Sequence, residues 1–190
     1  RQATSSSNKK QQKEAIITAI DASASMIDYC NHNPRLQSVN LIESKIEDCE
    51  LPKSNLICSN GCIQWVPNKP ELFSKLYRSL NANGDLIFSC YGPKTFKELQ
   101  HSLHHAVPSH PPLPASLFST HESILIDLKN ANFTVTEHSK QTLYIPFPTL
   151  INFLKTIKYT GTKPQGPSSH WTPKQLSLIH ISEPTRPSSI

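Results

Sequence analysis

Glycine is scarce in this chain. There are 5 glycines and 16 prolines among 190 residues, where average usage gives roughly 13 glycines. No two glycines stand close enough to form G-x-G, so the chain holds neither a complete dinucleotide fingerprint nor a P-loop. No apolar run reaches the length of a membrane span, and no membrane partner is expected. The first residues, RQATSSSNKK, have no apolar stretch and do not read as a secretory signal. Cys30, Cys49, Cys58, Cys62 and Cys90 form no C-x-x-C pair. Their odd number and lack of a framework predict free thiols in a reducing, cytoplasmic setting, with no zinc site. The net charge is +5 and the pI is near 9.0, but the lysines are scattered apart from KKQQK. Without a basic surface interleaved with aromatics, nucleic acid is not an expected partner. The scattered lysines read as solvated surface, with a preference for an acidic partner as the sharper alternative.

What is present is an alternation of strand-like and helix-like segments. ITAIDASASMIDYC, Ile17 to Cys30, has apolar residues crowded before Asp21, then a small-residue turn, then Met26, Ile27 and Tyr29 on a helical face. A strand is expected over 15–21 and a helix over 23–32, closed by Pro34, which disfavours helix at Asn33. Further strands are expected over 36–42, 56–59 and 85–91. Pro70 to Leu80 carries a helical stripe at 72, 73, 76, 77 and 80, and NANG (81–84) reads as its stop, with Gly84 free to take positive φ. GPKTFKEL starts a helix with Pro93 in its first turn. VPSHPPLPAS reads as a loop or flap, 120–131 as a helix capped by Thr120, 133–145 as extended, and 146–157 as a last helix before a GTKPQGPSSH loop. No internal repeat is present. The alternation predicts a mostly parallel, three-layer α/β domain.

One long segment carries a resemblance. Asp21, Ser23 and Met26 form D-x-S-x-x-M after the first strand; Ser59, Asn60, Gln64 and Trp65 form S-N-x-x-x-Q-W. A strand through Gly84, Leu86, Phe88 and Ser89 follows, then G-P-x-T-x-x-E-L from Gly92, and later FLKTIKYTGT and WTPKQL. Together these resemble class I S-adenosylmethionine-dependent methyltransferases, and within them the malonyl-acyl-carrier-protein O-methyltransferases of biotin synthesis. The resemblance covers about residues 15–175. It implies a Rossmann-like fold, here incomplete, lacking the first strand with its glycine loop and the last antiparallel strand. It implies S-adenosyl-L-methionine as cofactor, contacted by Asp21, Ala22, Met26, Ile46, Glu47, Asp48, Ser59 and Asn60. Gln64 and Trp65 would face the substrate, a malonyl thioester on acyl carrier protein or coenzyme A. The family's adenine-binding acid falls on Lys45 in the straightest register, with Glu47 or Asp48 a short shift away.

The physical reading agrees with that assignment. A carboxylate at a strand end can accept both hydroxyls of a ribose diol, and Asp21 is so placed. An ionised carboxylate acceptor is already a nucleophile, so no general base is named and the catalytic residues stay unassigned. Lys94, after the GDLIFS strand, is the one guess at an anchor for the substrate anion. His101, His104 and His105 share a helix face but have no acid or cysteine beside them in sequence, and no metal is expected. Tyr91 and Tyr144 are read as packing residues. Two other readings stay open: a methyltransferase-fold assembly factor for complex I that hydroxylates arginine, and a non-catalytic remnant. Leu176–Arg186, LSLIHISEPTR, is what a transposase-type sequencing adapter encodes. Residues 1–175 are therefore expected to be a partial methyltransferase domain, 176–190 to be foreign to it, and this stretch of chain to be inactive on its own.

Overall fold

The computed structural model describes residues 15–159 apart from 108 and 110. The expected 161–170 loop, WTPKQL and the adapter-like tail lie outside these residues. The chain divides into two compact units, one ending at Leu51 and the other starting at Pro52.

The first unit is a β-α-β crossover. Strand β1 (Ile17–Asp21) leads into helix α1 (Ala24–Asn31), and a 3₁₀ turn (Pro34–Leu36) leads into β2 (Val39–Glu43). The two strands pair in parallel from Ile17↔Val39 to Asp21↔Glu43. Such a pair requires the helical crossover that α1 supplies. Ser23 starts α1, its hydroxyl accepting from the Met26 N–H at 3.4 Å, which satisfies one of the helix's unpaired amides. The structure corrects two expectations here. Leu36 belongs to the 3₁₀ turn, because Asn33 caps it by accepting from the Arg35 N–H. Of the three residues expected on one helix face only Ile27 is buried, Met26 being 46 % and Tyr29 70 % exposed. Ile27 lies one residue from Met26 and two from Tyr29, spacings that do not share a helix face, whereas Met26 and Tyr29, three apart, do.

The second unit carries β3 (Ser54–Asn60), a 3₁₀ turn (Ile63–Trp65), α2 (Lys69–Ser79) and β4 (Leu80–Ser89). It continues through α3 (Lys97–Ala106), a 3₁₀ turn (Pro114–Leu117), α4 (His121–Asn130) and α5 (Leu150–Tyr159). Strands β3 and β4 pair in parallel, with a register shift between Ser54↔Leu80 and Leu56↔Asp85. That shift overturns the expected helix stop at 81–84. Residues Asn81–Gly84 lie inside β4 as its irregular start, and positive φ falls on Asn83 (60°) and not on Gly84. Glycine is required at 84 for another reason. A Cβ there would meet the carbonyl oxygens of Asn55 and Asn81 at 3.1 Å each.

The α2 stripe forms the centre of the core: Phe73 is fully buried, with Leu72, Leu76 and Leu80 beside it. Phe73 packs on Phe88 of β4 with ring centres 5.7 Å apart. Each such side chain contributes about 2–3 kcal/mol by leaving water. Thr120 caps α4 as expected, accepting from the Ser123 N–H at 3.1 Å. A second cluster joins α3 and α5 through Leu103, fully buried, and Leu150, with Leu99, Phe153 and Leu154 around them. Pro93 stands outside α3, not in its first turn. The Thr95 N–H and hydroxyl both bond the Gly92 carbonyl, and Phe96 takes a left-handed conformation (φ 59°) before the helix starts. Residues 133–147 join no ladder among the described residues. No helix among the described residues is long and apolar enough to cross a membrane.

Candidate functional site

The carboxyl ends of the parallel strands gather the predicted residues, in two groups belonging to the two units. In the first unit Asp21 closes β1. Its Oδ1 accepts from the Ser23 N–H at 2.8 Å, and its carbonyl accepts from the Ser44 N–H at 3.0 Å. Among the described residues no partner engages Oδ2. One carboxylate oxygen is thus held by the turn that starts α1, and the other is open. Ala22 lies exposed in that turn, and Met26 is on the exposed side of α1. Beyond β2, the Lys45 carbonyl accepts from the N–H groups of Asp48 and Cys49 at 3.1 Å each. This turn buries Cys49 and half-buries Ile46, while Lys45, Glu47 and Asp48 are exposed. Glu43 was not singled out by the sequence, yet the register sets it directly beside Asp21. Its signal was an acid at a strand end, the same feature that marked Asp21.

In the second unit Asn60 ends β3 and Ser89 ends β4, and the two are register partners. The Ser89 hydroxyl donates to Asn60 Oδ1. The Gly61 N–H donates to the Ser89 carbonyl at 3.0 Å, and Gly61 takes φ 64°, a conformation that favours glycine. The ring of Tyr91 lies 3.4 Å from where a Gly61 Cβ would be. Gln64 donates through Nε2 to the Gly61 carbonyl at 2.5 Å, and only 4 % of the residue is exposed. Its Oε1 is buried with no partner among the described residues. Trp65 is 37 % exposed and stands edge-on to Phe118, ring centres 4.9 Å apart. Ser59 and Asn60 end β3, and Gln64 and Trp65 lie in the 3₁₀ turn that follows it. Gln64 braces the turn from beneath, and Trp65 is the part that solvent reaches.

Lys69, the first residue of α2, is buried with Nζ donating to the carbonyls of Val66 at 2.9 Å and Gln64 at 3.4 Å. Burial pulls its ammonium below the usual lysine range, opposed by the charges of Cys90 and Asp127. Burial pushes the Cys90 thiol up, opposed by Lys69. All five cysteines are free. Lys94 is exposed. The neighbouring cation is the one with an aromatic partner: Lys97 Nζ donates to the Tyr144 hydroxyl at 3.3 Å and lies 5.3 Å from that ring's centre. The Tyr144 hydroxyl holds the Lys97 ammonium above its usual range. Tyr91 (52 %) and Tyr144 (72 %) are exposed, so neither is the packing residue expected. His101 and His105 stack edge to face, 4.5 Å between ring centres. Among the described residues no three metal-ligating side chains converge.

Residues 3–88 match the family model described as "Methyltransferase domain". With the parallel strand pairs and their helical crossovers, the match fits part of a Rossmann-like α/β methyltransferase fold. The curated proteins this chain is similar to include malonyl-[acyl-carrier protein] O-methyltransferases. A malonyl-[acyl-carrier protein] O-methyltransferase of Priestia megaterium is 30 % identical over 174 residues, 83 % of this chain and 61 % of that protein. That of Bacillus cytotoxicus is 31 % identical over 155 residues, 77 % of this chain and 53 % of that protein. That of Acetivibrio thermocellus is 38 % identical over 90 residues, 47 % of this chain and 32 % of that protein. The chain thus spans between about a third and three fifths of the length of these relatives.

Proposed function

We propose that this chain is part of an S-adenosylmethionine-dependent methyltransferase that esterifies the free carboxylate of a malonyl thioester, carried by an acyl carrier protein or coenzyme A, early in biotin synthesis. The likeness to malonyl-[acyl-carrier protein] O-methyltransferases over 83 % of the chain carries this reading. The residues fit the cofactor. In the first unit Asp21 offers an open carboxylate oxygen and a second with a lone pair left beside the turn's bond, acceptors suited to ribose hydroxyls; Ala22, Met26, Ile46, Glu47 and Asp48 are the further candidates for cofactor contact there. In the second unit Asn60 offers amide donors at the end of β3, with Ser59 beside it as a candidate for the cofactor and Trp65 for the acceptor. S-adenosylmethionine supplies a methyl group activated on a sulfonium. The protein's part is to orient the two reactants and exclude water. A malonyl carboxylate is ionised at neutral pH, so no side chain need take a proton. The five free thiols fit a cytoplasmic setting.

The test is calorimetric titration of the full-length protein that contains this chain with S-adenosylhomocysteine, followed by mass detection of a methyl ester when S-adenosylmethionine and malonyl-carrier protein are supplied. Binding without ester formation would retain the cofactor and reject the acceptor. Absence of binding would reject both.

A further inference from the structure

We infer that Ser89 is a positioning residue that presets the Asn60 amide for its ligand; this rests on the cofactor reading of Asn60 above. Asn60 is exposed at the last position of β3, where a free side chain would sample several rotamers. Ser89 removes that freedom. Its hydroxyl donates to Asn60 Oδ1, which fixes which end of the amide is oxygen and leaves both Nδ2 hydrogens to be donated elsewhere. No described residue accepts them. The same serine also fixes the backbone that carries Asn60, since its carbonyl accepts the Gly61 N–H at 3.0 Å. Gln64 closes the frame from the other side through the Gly61 carbonyl. Gly61 is thereby held at both its N–H and its carbonyl, and the Asn60 side chain at its oxygen. What remains unoccupied is a pair of amide donors at the carboxyl end of a parallel strand, where ligands of such sheets bind. Ordering these donors beforehand removes an entropy loss from the binding step.

The experiment compares S-adenosylhomocysteine binding by the full-length protein that contains this chain, as wild type and as Ser89→Ala, Ser89→Thr, Asn60→Ala and the Ser89→Ala/Asn60→Ala double variant, together with the NMR order of the Asn60 side-chain amide. Ser89→Ala should weaken binding by about three- to tenfold and raise the mobility of the amide. Ser89→Thr keeps the hydroxyl and should bind within about twofold of wild type. Combining Ser89→Ala with Asn60→Ala should cost no more than Asn60→Ala alone, because Ser89 acts through Asn60. Wild-type affinity in Ser89→Ala overturns the inference while leaving the cofactor reading intact, and so does additivity of the two changes. A wild-type full-length protein that does not bind overturns both. Should the alanine variant unfold, Ser89→Thr against Ser89→Val repeats the comparison at equal shape, differing only in the hydroxyl.

Discussion

Asp21 has two jobs, and one substitution separates them. Its Oδ1 accepts the Ser23 N–H at 2.8 Å and so shapes the turn into α1, while Oδ2 is open for a ligand hydroxyl. Asp21→Asn keeps an acceptor at the Oδ1 position, so the turn survives and stability should change by less than about 0.5 kcal/mol. The substitution replaces the open acceptor with a donor and removes the charge. A hydrogen bond from a diol hydroxyl to a carboxylate contributes about 1.5–3 kcal/mol. The Asn variant should therefore bind S-adenosylhomocysteine about 10- to 150-fold more weakly. Asp21→Ala loses the turn as well and should unfold about 1 kcal/mol more easily than Asp21→Asn. Calorimetric titration reads the first effect and urea unfolding the second. Asn binding as tightly as Asp would refute the diol assignment. Asn and Ala losing equal stability would refute the turn.

Three further outcomes follow from the packing. Phe73→Ala empties a fully buried site between α2 and β4, and should cost about 3–5 kcal/mol in urea unfolding. Gly84→Ala puts a methyl group 3.1 Å from two carbonyl oxygens. The gain of about 0.4–1 kcal/mol from a stiffer unfolded chain should be outweighed, giving a net loss of about 1 kcal/mol in the same assay. Lys69 makes stability pH-dependent. Its folded pKa lies below 10.5, so just below that pH the unfolded chain holds more protons and stability rises with pH. Cys90 acts oppositely, its raised thiol losing stability as the pH climbs past 9.0. Unfolding curves of Cys90→Ala from pH 8 to 10.5 should therefore isolate the rise due to Lys69, and Lys69→Met added to that background should flatten it.

The parts legible in sequence were those governed by local chemistry. Ser23 and Thr120 cap helices because a hydroxyl one step before a helix has amides within reach, whatever the rest of the chain does. The α2 stripe was readable because its period alone decides which side is buried. The placing of Asp21 and Asn60 at strand ends was legible because apolar runs stop there and turn residues follow. What escaped was set by partners distant in sequence. Gly84 looked like a helix stop; its true constraint is the Asn55 carbonyl across the ladder, known only once the register shift between β3 and β4 is known. Gln64 looked like a ligand contact, yet Gly61 turns its carbonyl toward it and the amide is buried. Glu43 went unnoticed, and Ser89 was read only as part of a strand motif, for the same reason. Each is an ordinary strand-end residue until parallel pairing sets it beside Asp21 or Asn60. Sequence thus named the exposed strand-end residues themselves. The residues paired with them became visible only through the neighbouring strand, so substitutions at such second positions are where structure-based and sequence-based expectations diverge most.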